Sequence, residues 1–131
     1  MTSAEYLDTI LAELVASSSI ASFDVIEQWV EPERGYIRVR AWLANGDFLE
    51  LAEYFVETDG ECVAQRYRYQ WMDASRQQLR SRWDNVEHFP NLASFPHHVH
   101  LADDQVVPST NLSIIDLLKA LTIEIRFCDS G

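Results

Sequence analysis

Residues 36–72, YIRVRAWLANGDFLELAEYFVETDGECVAQRYRYQWM, decide the fold class. Apolar and polar side chains alternate along most of this stretch, which is the period of a β-strand with one buried face. The alternation is interrupted at Asn45-Gly46 and at Asp59-Gly60, two dipeptides that favour tight hairpin turns. The stretch therefore predicts three antiparallel strands, over about residues 36–43, 48–56 and 63–72.

More strands are predicted on both sides of this hairpin pair. Residues 20–30 are rich in β-branched and aromatic side chains and favour a preceding strand. Residues 79–83 favour a short fifth strand, and 98–101 are compatible with an extended conformation.

Two helices are predicted at the ends of the chain. Thr2 and Glu5 have the spacing of a capping box, which begins a helix over about residues 3–17. The cluster Pro108-Ser109-Thr110-Asn111 is typical of a helix start, and an apolar stripe then predicts a helix over about residues 111–126. We therefore expect an α+β protein, with an antiparallel β-meander of about five strands between an N-terminal and a C-terminal helix.

Two-residue turns at both hairpins would fix the register of the three central strands. Arg38 would then lie opposite Glu53, and Glu53 opposite Arg66. One face would carry Tyr36, Arg38, Arg40, Trp42, Leu49, Leu51, Glu53, Phe55, Arg66, Arg68 and Gln70. The core face would carry Ile37, Val39, Ala41, Leu43, Phe48, Ala52, Tyr54, Val63, Tyr67, Tyr69 and Trp71, with Glu50 and Gln65 also pointing inward.

Four of the nine arginines fall on the first of these faces, at Arg38, Arg40, Arg66 and Arg68. One interpretation is a solvated face whose ion pairs each contribute about 0–1 kcal/mol. The other is a platform for phosphate or an RNA backbone, on which aromatic side chains could stack against bases. The sequence alone leaves both interpretations open.

Composition limits the class of protein. The length of 131 residues fits one domain over residues 1–131, and 47% apolar with 24% charged residues is typical of a globular chain. The net charge of -11 argues against general binding of duplex DNA, which depends on neutralising phosphates. Cys62 and Cys128 form no CxxC pair, and neither a signal peptide nor a membrane-length apolar run is visible. We expect a cytoplasmic protein with reduced thiols and no membrane association.

All four histidines lie between residues 88 and 100, in a proline-bearing loop and the segment after it. In a first interpretation His97, His98 and His100 bind a divalent metal, with help from His88 or Asp84, since catalytic metal sites often take three protein ligands. In a second, the loop is structural, and its polar side chains satisfy backbone groups left unpaired by the prolines.

A third interpretation is acid–base chemistry without a metal or other cofactor. A ribonuclease that uses the RNA 2′-hydroxyl as nucleophile needs a base, an acid and a cation beside the reacting phosphate. Arg82, His88, His98 and His100 supply imidazoles and a guanidinium for these roles.

Several motifs resemble one family. They are Tyr67-Arg68-Tyr69-Gln70-Trp71, Arg82-Trp83-Asp84-Asn85 with His88, Phe95-Pro96-His97-His98-Val99-His100 and Val107-Pro108-Ser109. Together they resemble the TumE-like family of small prokaryotic proteins, described as the toxin side of two-gene toxin–antitoxin modules. The resemblance implies an antitoxin protein as partner. It directs attention to Arg82, Asp84, His88, His97, His98 and His100 as catalytic residues, and to Glu53, Tyr67 and Tyr69 beside the strand arginines for substrate binding.

Two hypotheses for function follow from the sequence. The first is a toxin that acts on RNA or a nucleotide, such as a metal-independent ribonuclease, through the histidine segment and the arginine face. The second is a non-catalytic or metal-binding interaction module. The oligomeric state is open in both.

Overall fold

A computed structural model describes residues 1–85, 98–102, 105–108 and 111–129. Within these residues the chain forms α1 (Ser3–Ala16), β1 (Ile20–Glu31), β2 (Arg34–Leu43), β3 (Phe48–Thr58), β4 (Glu61–Met72), β5 (Leu79–Asp84), β6 (His98–Leu101), β7 (Val106–Pro108) and α2 (Ile114–Asp129). The strands form one antiparallel sheet in the order of the sequence. The predicted α+β meander with two terminal helices is confirmed, with seven strands in the described sheet instead of about five.

The predictions of the two helix starts differ in accuracy. The capping box of α1 is confirmed, because the Glu5 amide donates to Thr2 Oγ1 at 3.1 Å and the Thr2 amide donates to Glu5 Oε1 at 3.3 Å. The second helix was predicted over about residues 111–126 and begins three residues later, while Pro108 of the predicted helix-start cluster ends β7. The helix begins at Ile114 instead, where the hydroxyl of Ser113 accepts from the Asp116 amide at 3.1 Å.

The predicted register of β2 and β3 is wrong by one residue. Trp42 pairs with Phe48, so the first hairpin turn has three residues and not two. The Gly46 amide donates to the Leu43 carbonyl at 2.9 Å, and Gly46 has a φ of 92°, a conformation that favours glycine. Glu53 consequently lies opposite Ile37 and not opposite Arg38.

The register of β3 and β4 is shifted by a bulge. The two-residue turn at Asp59-Gly60 is confirmed, since Thr58 pairs with Glu61. Farther along, Phe55 pairs with Ala64 but Tyr54 pairs with Arg66, which leaves Gln65 as an extra residue. Glu53 therefore lies opposite Tyr67 and not opposite Arg66.

Both shifts move β3 relative to its neighbours, so its two faces are exchanged. Leu49, Leu51, Glu53 and Phe55 are buried on the core face, whereas Glu50 lies on the opposite face, contrary to prediction. The predicted orientations of β2 and of most of β4 are correct, as shown by buried side chains at Ile37, Val39, Ala41, Leu43, Tyr67, Tyr69 and Trp71. Ala52 and Tyr54 do not join the core, and Val63 is exposed.

The core lies between one face of the sheet and the two helices. Its helical part consists of Tyr6, Ile10, Leu14, Ile114, Leu117, Leu118 and Leu121. Gly35 allows the close approach of the Phe55 ring, which a Cβ at that position would overlap. We call the opposite face of the sheet, which does not pack against the described part of the helices, the outer face.

Candidate active site on the outer face of the sheet

Antiparallel pairing sets the side chains of the outer face in rows that cross the sheet, because directly opposed residues share a face. Two successive rows contain most of the charged groups. We call them the charged rows; they consist of Glu27, Arg38, Ala52, Arg68 and Asp84, and of Asp24, Arg40, Glu50, Gln70, Arg82 and His100. The arginine strands and the histidine strand β6, separate in the sequence, therefore meet on one surface.

Two charged side chains and one imidazole converge at one end of these rows. Arg82 Nη2 lies 3.1 Å from His100 Nε2, Arg82 Nε lies 3.3 Å from Asp84 Oδ2, and His100 Nε2 lies 3.6 Å from Asp84 Oδ2. The Asp84 side chain is only 4% exposed, that of His100 16% and that of Arg82 27%. The cluster is thus partly withdrawn from water, where charge–charge interactions are stronger than in bulk solvent.

The geometry of the cluster gives His100 Nε2 two alternative partners. When Nε2 accepts a hydrogen bond from Arg82, the imidazole is neutral and its proton is on Nδ1. When Nε2 is protonated, it can only donate, and Asp84 is the acceptor on that side. The cluster therefore has the parts of a site that takes up and releases a proton.

The strand arginines differ in whether they form ion pairs with a carboxylate. Glu50 accepts a hydrogen bond from Arg38 at 3.1 Å and lies 3.5 Å from Arg40 Nε, so one carboxylate serves both. Arg66 and Arg68 are exposed and form no ion pair with another described residue. They are the strand cations most accessible to a phosphate.

A shallow depression of about 250 Å³ lies on the outer face, lined by Phe48, Glu50, Ala52, Arg68 and Gln70. One residue of its lining, Gln70, lies next to the cluster, because Gln70 pairs with Arg82 across β4 and β5. Arg68 of its lining is likewise opposite Asp84, so a ligand in this depression would lie beside the cluster.

Glu53 lies in the core, apart from the arginines. Its carboxylate accepts hydrogen bonds from the Tyr6 hydroxyl at 2.6 Å, the Tyr69 hydroxyl at 2.9 Å and the Ile114 amide at 2.7 Å. Burial raises the pKa of the Glu53 carboxyl, and these three hydrogen bonds offset only part of that rise. Glu53 thereby connects α1, β4 and the first turn of α2.

The two strand tyrosines named by the resemblance are also buried. The rings of Tyr67 and Tyr69 stack with their centroids 5.0 Å apart. Burial, and then the nearby Asp84 charge, raises the pKa of Tyr67 to about 12, whereas burial and the Glu53 charge raise the pKa of Tyr69 well above its usual value. Both hydroxyls are therefore protonated at neutral pH, and they lie on the side of the sheet away from the strand arginines.

Asn85 contributes to the site in a way that sequence reasoning missed. Its side-chain amide donates to the Gln65 carbonyl at 2.8 Å and accepts from the Tyr67 amide at 3.0 Å. These two hydrogen bonds hold the bulge at Gln65, which sets the register of β4 against β3, and join it to the end of β5. The motif containing Asn85 was visible in the sequence, but the bulge that gives it a role was not.

The rest of the histidine segment is only partly defined. His88 and His97 lie outside the described residues, and of His98 only the backbone is described, paired with Asp84. Among the side chains that the structure describes, no group of three histidine, cysteine or acidic residues is arranged to hold a metal ion. The metal site at His97, His98 and His100 therefore stays a prediction.

The comparisons with known proteins identify one family. The family model described as Toxin TumE matches residues 7–127, which is most of the chain. No curated protein and no solved structure gave a significant match. Neither helix, over its described residues, is long and apolar enough to cross a membrane.

Proposed function

This chain belongs to the TumE toxin family, and on that premise we propose that it is a toxin that cleaves RNA at its outer face. One observation carries the proposal. Arg82, Asp84 and His100 converge at the end of rows that also hold Arg68 and the Glu50-linked arginines.

The chemistry needs no metal. A base removes the proton of the ribose 2′-hydroxyl, the 2′-oxygen bonds to phosphorus, and the bond to the 5′-oxygen breaks as that oxygen receives a proton. The products are a 2′,3′-cyclic phosphate and a 5′-hydroxyl. We assign one proton transfer to His100, stabilisation of its imidazolium form to Asp84, and stabilisation of charge on the phosphorane to Arg82.

The second proton transfer requires another group near the same phosphate. His98 is the first candidate, because its backbone pairs with Asp84 in the adjacent row. His88 and His97 are the other candidates within the same stretch of sequence.

Substrate binding is assigned to the strand arginines. Arg66 and Arg68 are exposed and would contact phosphates directly, whereas a phosphate would have to compete with the Glu50 carboxylate for Arg38 and Arg40. Because the charged rows hold as many carboxylates as arginines, Arg66 and Arg68 are the local cationic contact through which this acidic chain would bind single-stranded RNA. We include an antitoxin protein as the partner that silences this activity.

Controlled expression in a bacterial host tests the proposal. Wild type is expected to arrest growth and fragment cellular RNA, and Arg82→Ala/His100→Ala is expected to be harmless at equal protein level. Arg34→Ala is the matched control, since Arg34 is exposed and lies outside the charged rows. Equal toxicity of wild type and the double variant would remove the catalytic assignment.

The alternative function is a non-catalytic interaction module. It is favoured by the ion pairs of Arg38 and Arg40 with Glu50, which leave these two arginines less available to a ligand. In that case the double variant and wild type would behave alike in growth, and no RNA fragments would appear with either.

A further inference from the structure

The edge strand β1 is unusually exposed. It is first in the described sheet and hydrogen-bonds along one side only, to β2. Of its twelve residues, ten are exposed. A strand this long with a free edge can pair with an extended segment of another chain.

Exposed apolar side chains concentrate on this strand. Among the described residues, seven large hydrophobic side chains are exposed, and four of them are Val25, Ile26, Trp29 and Val30. A concentration of this kind on one edge is typical of a protein interface. Trp29 stacks on Tyr36 with ring centroids 6.3 Å apart, so its indole is already held in one orientation.

A bulge at Ile26 divides the edge, because Val25 pairs with Val39 but Glu27 with Arg38. We call the part after the bulge, Glu27–Glu31, the edge segment. It is regular, it contains no proline or lysine to block pairing, and its five residues match a common strand length. The Ser3 hydroxyl donates to the Glu31 carbonyl, which anchors the end of the segment to α1.

Charge distinguishes between a second copy of this chain and a different partner. The edge segment contains Glu27 and Glu31 and no basic residue. A symmetric antiparallel pairing centred on Trp29 would set Glu27 of one copy opposite Glu31 of the other, and like charges directly opposite are destabilising. Two chains of net charge -11 would also repel each other.

We propose that the edge segment binds an extended basic segment of a partner protein as an additional antiparallel strand. The partner would carry Lys or Arg at two positions four residues apart, opposite Glu31 and Glu27, with an apolar side chain midway, opposite Trp29. The inference rests on the proposed function only in naming the partner, which we take to be the antitoxin encoded beside this chain.

Binding of that antitoxin to the Arg82→Ala/His100→Ala protein provides the test, since this variant separates binding from RNA cleavage. Hydrogen exchange should show new protection in the complex for the backbone amides of Glu27–Glu31 that point away from β2, which are every second one along the segment. Glu27→Lys/Glu31→Lys should weaken binding about tenfold or more, because two attractive pairs become repulsive. Asp8→Lys/Glu61→Lys changes the net charge equally at exposed sites outside the edge segment and should leave the affinity within about twofold.

Three results would overturn the proposal. They are no binding, binding without protection of the edge segment, and an equal loss of affinity in both charge-reversal variants. Self-association of the chain alone that increases with Glu27→Gln/Glu31→Gln, which removes the like-charge pairs, would instead identify a second copy as the occupant. None of these results bears on cleavage, which the growth and RNA assays measure separately.

Discussion

Replacing Glu53 tests the buried carboxylate that joins both helices to the sheet. Glu53→Ala would leave two donors, the Tyr6 hydroxyl and the Ile114 amide, without their acceptor, whereas Tyr69 keeps the Leu112 carbonyl at 2.9 Å. Each unsatisfied buried donor costs about 1–3 kcal/mol, so we expect a loss of about 2–6 kcal/mol in the free energy of unfolding.

Glu53→Gln keeps the shape of the side chain but removes its titration, which makes it the comparison for pH. Burial raises the pKa of Glu53 in the folded state, so the folded protein holds this proton at pH values where the unfolded chain has released it. The free energy of unfolding therefore falls as pH rises from the unfolded pKa of about 4.3 towards the raised folded value, by at most about 1.4 kcal/mol per pH unit. Above the folded pKa the contribution of Glu53 becomes constant.

Urea unfolding from pH 4.5 to 8, followed by tryptophan fluorescence at constant ionic strength, measures this effect. Other titrating groups cancel in the difference between wild type and Glu53→Gln. We expect the free energy of unfolding of wild type, relative to that of Glu53→Gln, to fall as pH rises and then to level off. If this relative stability does not change with pH, or rises, the hydrogen bonds match or outweigh the effect of burial on the pKa of Glu53, and the reasoning is wrong.

Three further predictions concern the sheet and its outer face. Gly35→Ala should lower the free energy of unfolding by about 1–3 kcal/mol in a urea titration, because the added methyl overlaps the Phe55 ring, and unchanged stability would show that the ring can move aside. Asn85→Ala should cost about 1–3 kcal/mol by freeing the bulge of β4, measured by the same urea titration, and unchanged stability would remove its anchoring role. Arg66→Ala/Arg68→Ala should reduce the salt dependence of binding to a short single-stranded RNA by about 0.7 in log–log slope for each phosphate that is no longer neutralised, and an unchanged slope would place the RNA elsewhere.

The sequence predicted the strands well because their signals are local. Alternation and the turn dipeptides located β2, β3 and β4, and the capping box located α1. Register failed because it depends on single residues that local patterns do not specify. A three-residue turn ending at Gly46 and one extra residue at Gln65 were enough to turn β3 over and to place Glu53 in the core.

The missed strand has a similar explanation. β7 ends at Pro108, and a proline beside a Ser-Thr-Asn run is typical of a helix start. Proline is also tolerated on an edge strand, where its missing amide costs no ladder hydrogen bond. Only the pairing of β7 with β6 decides between the two.

The candidate site could be predicted as a set of residues but not as an arrangement. Histidine clustering and the family resemblance both selected Arg82, Asp84 and His100. Their contact depends on the pairing of β5 with β6 across the intervening segment, which no local pattern specifies. The pairing of β4 with β5 then brings them beside the arginines of β4, which composition alone could not show.

The most direct test of the proposed active site is cleavage of a short single-stranded RNA by purified protein, with products identified by mass. We expect fragments ending in a 2′,3′-cyclic phosphate, no cleavage of the matching 2′-deoxy strand, and a loss of about 10²–10⁴-fold in rate for His100→Ala. Wild-type cleavage that His100→Ala leaves unchanged, or the absence of any cleavage by wild type, would contradict the assignment of the Arg82–Asp84–His100 cluster as a ribonuclease site.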